Sequence, residues 1–291
     1  MPRLGYLALV GFALAATPAA AASFVFSTGS PDGLIATASR PDSGGVLEKE
    51  TADDFVLGSA TQITSATFTG LVTGTVAPGT VGDVTVEIYR VFPLDSDVGR
   101  TSGAPTFSTP QVPTRVNSPS DVAFDSRDSS GDLTFSTQTL AASFTAANSV
   151  VNGINPLPGT FTGGEGAATG VETEFDVNFT APFILPAGHY FFVPQVQVTG
   201  GDFLWLSAPK PIVAPATPFL PDLQAWIRDG NLDPDWLRVG TDITHSGPFN
   251  MTFSLNGVTV PEPSTWMLML LGLGAAGAGL RRRRQGRTAP A

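Results

Sequence analysis

The sequence predicts an all-β fold, with an antiparallel β-sandwich ectodomain between an N-terminal signal peptide and a single C-terminal transmembrane helix. Three observations carry that expectation. Apolar and polar residues alternate with period two along several runs, the mark of half-buried strands. Turn signals separate the runs: Pro31-Asp32-Gly33, Pro78-Gly79, Gly200-Gly201 and Asn256-Gly257. Gly (32) and Pro (25) are abundant, yet 42% of the 291 residues are hydrophobic, too many for a disordered chain.

The elements follow in order. Arg3, the apolar stretch Leu4 to Ala16 and the small residues Ala20-Ala21-Ala22 before Ser23 read as a cleaved secretory signal, residues 1–22. The ectodomain is expected over 23–257. Its clearest strands hold Val84, Val86 and Ile88 against Thr85, Glu87 and Tyr89; Phe175, Val177 and Phe179 against Glu174, Asp176 and Asn178; and Phe249, Met251, Phe253 and Leu255 against Asn250, Thr252 and Ser254. Further candidates are Ser23 to Ser27, Leu34 to Ser39, Asp54 to Leu57, Ile63 to Leu71, Leu133 to Ser136, His189 to Thr199 and Phe203 to Ser207. Pro194 argues for an edge strand or a bulge, because proline cannot donate to a ladder. One polar face per strand suggests that both outer sheet faces meet water. Pro93 to Pro119 and Ala146 to Gly170 read as long loops, and helical periodicity is confined to Leu223 to Arg228.

Between Ser23 and Gly257 stand nine basic and twenty-four acidic residues, a net charge of −15. Such a surface repels nucleic acid and anionic lipid, and suits an exported protein or one that meets cations. The absence of cysteine excludes disulfides, thiol catalysis and thiolate metal sites.

Residues 258–291 form the tail. Pro261 and Pro263 bracket Glu262 and keep the chain extended. Thr265 to Leu280 is uncharged, about 24 Å long as a helix against a hydrocarbon core of about 30 Å, so it is a short span. Arg281, Arg282, Arg283 and Arg284 then stop translocation and stay cytoplasmic. Gly272-Leu-Gly274-Ala-Ala-Gly277 fits the dinucleotide-loop spacing, but lacks the surrounding strand, helix and downstream acid.

Val-Pro-Glu-Pro-Ser, an apolar helix and an arginine cluster, in that order, resemble the PEP-CTERM sorting signal. The resemblance implies a Gram-negative bacterium, with Pro261, Glu262 and Pro263 recognised by an exosortase, a membrane peptidase, and Arg281 to Arg284 as the membrane stop. It also implies a link to exopolysaccharide. Ala52 to Leu57, and the stretch from Leu185 to Asp242, are similar to the ectodomain of a recurring exosortase substrate, a likeness that implies no activity.

Chemistry is sparse. His189 and His245 lack metal-ligand spacing, and no G-x-S-x-G elbow occurs. Asp229, Asn231, Asp233 and Asp235 alternate like calcium-loop ligands, but Pro234 stands at the turn glycine and Gly240 at the bidentate acid. Asp125, Asp128 and Asp132 make a second acidic loop of poorer spacing. Tyr190, Trp226 and Trp236 are candidates for stacking on sugar rings, with a core role as the bland reading, and Trp205 sits in the apolar Phe-Leu-Trp-Leu.

The expected protein is therefore non-enzymatic and without cofactor. It is exported by the Sec translocon, trimmed by signal peptidase, anchored in the inner membrane and cut by an exosortase. It then acts structurally or adhesively at the cell surface or in a biofilm matrix, with exopolysaccharide as a partner. A carbohydrate-binding module and a secreted glycan-active enzyme, with two carboxylates facing across a cleft, are the alternatives.

Overall fold

The computed structural model describes residues 21–74, 80–96, 115–154, 161–230 and 236–260, with positions 272, 274 and 278. Period-two patterning becomes strand almost wherever it occurs. The strands are β1 (Ser23–Ser27), β2 (Ile35–Ala38), β3 (Lys49–Leu57), β4 (Thr61–Val72), β5 (Val81–Arg90), β6 (Asp125–Asp128), β7 (Leu133–Ala146), β8 (Asn148–Val150), β9 (Ala168–Leu185), β10 (Gly188–Val198), β11 (Phe203–Ala208), β12 (Trp226–Asp229), β13 (Leu237–Arg238), β14 (Asn250–Met251) and β15 (Phe253–Thr259). A π-helical turn, Val239–Ile243, follows β13. Ala22–Val260 is one compact unit.

The strands form two sheets, of nine and six. In the larger, β4 is the hub. Along one edge it pairs with β9; along the other it meets β15 over its first part and β11 over Gly70 to Val72. Outside these lie β1 on β15, β7 on β9, and β2 then β8 beyond β11. The β2–β8 pair is parallel, so the larger sheet is mixed rather than purely antiparallel. The smaller sheet runs β13-β12-β3-β10-β5-β6.

Aromatic rings join the two sheets. Phe192 of β10 stacks on Phe253 of β15 with centroids 5.0 Å apart, and meets Trp205 of β11 edge-on at 6.0 Å. Phe55 of β3 touches Phe26 and Phe253. On β9 the alternation is clean: Thr173, Phe175, Val177 and Phe179 are buried, while Glu172, Glu174, Asp176 and Asn178 point the other way.

Several expectations need correction. The outer faces are not uniformly wet, because β2, β11 and most of β3 are buried on both sides. Ala36, Leu71, Leu204 and Leu206 form one satellite core, and Ala52, Tyr89, Phe191, Val193, Trp226 and Trp236 another. Pro194 lies in β10, an interior strand, where it is in register with Val86. It is tolerated because β3 pairing ends at Phe192, two residues earlier. Leu223 to Arg228 is not helical; it runs into β12. Asn256-Gly257 is no turn but a bulge within β15, which continues to Thr259. The Ala146 to Gly170 stretch contains β8 and the start of β9. Of Pro93 to Pro119, the described ends are tied by a bridge from Val91 to Pro119, and 97–114 lies outside the described residues.

Candidate functional site

The edge of the larger sheet leads to the tail. β1 and β15 pair from Ser23↔Val258 to Ser27↔Ser254. Beyond that ladder, the Thr259 amide donates to the Ala22 carbonyl at 2.8 Å, and the Ala22 amide donates to Thr259 Oγ1 at 2.9 Å. The Val260 amide donates to the Ala60 carbonyl at 2.8 Å. The expected export-cleavage point and the entry to the sorting segment are therefore held side by side. Pro261, Glu262, Pro263 and Arg281 to Arg284 lie outside the described residues. Positions 272, 274 and 278 are helical, and among the described residues no helix is long and apolar enough to cross a membrane.

The stacking candidates are all interior. Trp226 and Trp236 are 1% exposed and Tyr190 3%, so none offers a ring face to a sugar, which overturns that expectation for these residues. Trp236 Nε1 donates to the Ser120 carbonyl, and the Tyr190 hydroxyl to the Pro186 carbonyl. Trp205 likewise donates from Nε1 to the Thr252 carbonyl.

Of the calcium candidates, Asp229 pairs with Lys49 at 3.3 Å, while Asn231, Asp233 and Asp235 lie outside the described residues. Asp125 pairs with Arg127, and Asp128 accepts hydrogen bonds from Ser130. Among the described residues no cluster of three or more His, Cys, Asp or Glu could hold a metal.

The structure also assembles buried carboxyl groups that spacing does not reveal. On the outer face of the smaller sheet, the Tyr89 hydroxyl lies 2.9 Å from Glu50 Oε1 and 2.9 Å from Glu87 Oε2. Arg228 ion-pairs with Glu50, donates to Tyr89 at 2.8 Å and lies 4.6 Å over the Trp236 ring. One hydroxyl proton cannot serve two carboxylates, so the second carboxyl must keep a proton of its own. Burial first, then the charge of Glu50 and a hydrogen bond to it, push Glu87 up to about 8. Elsewhere, Asp54 binds His189 Nε2 at 2.6 Å and accepts from the Leu223 amide. Asp53, fully buried, reaches across from β3 to accept from the Met251 amide of β14. Burial raises both carboxyls, and at Asp53 the charge of Asp54 adds to it.

Open clefts also indent the described part of the domain. A cavity of about 590 Å³ lies where the turn after β1, the middle of β4, β9, β15 and the loop after β11 converge. Thr67, Thr69, Thr252 and Ser254 supply hydroxyls, and Glu174 of β9 supplies the charge. Leu140, Val213 and Pro215 add apolar surface.

A match to a known motif begins at the end of β15. Residues 259–284 match the family model of the PEP-CTERM protein-sorting motif. The chain carries the PEP-CTERM sorting motif. The match begins at Thr259, the residue that closes β15 against Ala22. The PEP-CTERM motif is the recognition signal of exosortase, a membrane protein, and implies export and sorting to the cell surface. The chain matches no curated protein and no solved structure. The PEP-CTERM segment was legible because its signal is contiguous. The cleft was not, because its walls are far apart in sequence. Its one local sign was Glu174 on the polar face of a strand, flanked by Asp176.

Proposed function

We propose that this protein is a non-enzymatic component of the cell surface or extracellular matrix, released by an exosortase and structural or adhesive in association with exopolysaccharide. A signal peptide over 1–22 sends it through the Sec translocon. Thr265 to Leu280 then holds it in the inner membrane, with Arg281 to Arg284 retained inside. The PEP-CTERM match at 259–284, directly after the last strand of a β-sandwich domain, carries this reading. A non-catalytic role is supported by the closed hydrogen bonding of the carboxyl groups: Tyr89 and Arg228 engage Glu50, and His189 and Leu223 engage Asp54.

Replacing Pro261, Glu262 and Pro263 with alanine should leave an uncut precursor in the inner membrane of the native host. Fractionation and intact mass check this. A variant that reaches the surface in the same shortened form as wild type would refute processing through this motif.

A further inference from the structure

The cleft beside β9 has the composition of a ligand site. Thr69 is 3% exposed and lines it, yet its hydroxyl has no hydrogen-bond partner among the described residues. The oxygen itself is not among the fully buried atoms left without a partner, so it opens on the cleft, where a ligand hydroxyl can meet it. Beside it, Thr67 and Ser254 share one hydrogen bond of 2.6 Å, which leaves acceptor capacity on both oxygens.

Glu174 is the one charged side chain of the lining, and no basic residue lines the cleft among the described residues. Across its ladders Glu174 faces Thr69 on β4 and Gln138 on β7, both neutral. Burial raises its carboxyl, and Asp176 on the same strand face raises it further. A cation placed here relieves both effects, whereas an anion is repelled.

The rim is apolar for an identifiable reason. β7 slips register between Thr139 and Ala141, so Leu140 is the extra residue of a bulge. Bulges re-aim side chains, and Leu140 stands 44% exposed at the cleft. Val213 adds aliphatic surface from the loop after β11, which is tied to β1 by the Thr217 amide on the Ser27 carbonyl.

We propose that this cleft binds an amino-sugar chain with free amines, a partly de-N-acetylated polysaccharide. The ammonium would meet Glu174, the ring hydroxyls would meet Thr69, Thr67 and Ser254, and the C–H faces of the sugar would lie on Leu140 and Val213. Neutral glycans forgo the charge, and acidic ones are rejected by it. This deepens the surface-protein reading and rests on it, but the two fail separately. Loss of glycan binding leaves tail processing intact, and loss of processing leaves the cleft intact.

The test is calorimetric titration of the detergent-solubilised full chain at a pH just below neutral. The probes are a glucosamine oligosaccharide and its fully N-acetylated counterpart. Wild type should bind the free-amine form and prefer it clearly. Glu174→Gln should weaken that binding about tenfold or more, and Thr69→Val about three- to tenfold, the worth of a charged and a neutral hydrogen bond. Circular dichroism confirms that each variant is folded, and the two-probe comparison on wild type stands without the variants. Equal affinity for both probes, no binding of either, or unchanged affinity in Glu174→Gln would overturn the proposal.

Discussion

Glu87 shows how little charge placement can be inferred from strand alternation. The period-two pattern puts Glu87 and Tyr89 on one face of β5, as the structure does. It says nothing of Glu50 and Arg228, which arrive from β3 and β12. The resulting crowding has a pH signature. An unfolded chain releases the Glu87 proton near its ordinary value of 4.5, the folded chain near 8. Between those values the folded state binds the extra proton, so stability falls as pH rises and levels off above about 8. The slope from this group is at most about 1.4 kcal/mol per pH unit. Asp53 and Asp54, raised by burial, act with the same sign. Urea midpoints should therefore drop between pH 5 and pH 8, and less steeply in Glu87→Gln. Identical slopes in the two proteins would exclude Glu87 as a contributor.

Strands were legible where one face is buried, because alternation then encodes the burial directly. β1, β5 and β9 follow from it, whereas β10 is buried on both faces from Tyr190 to Val196. The short β6, β8, β12 and β13 do not, since two to four residues cannot establish a period. β12 was misread because Leu223, Trp226 and Ile227 fall at helical spacing; Trp226 and Ile227 in fact enter cores on opposite faces of the sheet. Besides Phe55 of β3, β10 binds the sheets together through Phe192. That ring meets Phe68, Trp205 and Phe253 of the larger sheet. Phe192→Ala should cost about 3–5 kcal/mol, from lost transfer energy and the cavity left behind. Val25→Ala, at a position 62% exposed on β1, should change stability by less than about 0.5 kcal/mol. Denaturant unfolding of the two variants compares them, and similar losses would contradict the placement of the core.

For the whole molecule, strand order constrains where the tail can be cut. β15 lies between β1 and β4, and its Phe253 and Leu255 are core residues. Gly257 passes so close to β4 that a Cβ there would stand 2.1 Å from the Gln62 carbonyl oxygen. Removing β15 would expose both neighbouring edges and part of the core, leaving β1 without its partner. β15 is also the last strand in chain order among the described residues, so the larger sheet is completed only by the residues that lead into the PEP-CTERM segment. A stable released domain therefore requires cleavage beyond Thr259, the last residue of β15 in register with β4, opposite Thr61. Intact mass of the released form should place its C-terminus at Val260 or later. Its N-terminus, if the signal is removed before Ser23, lies beside that end. A chain ending before Thr259 yet still folded and protease-resistant would show that β15 is dispensable, and would refute this account of how the domain and its tail are joined.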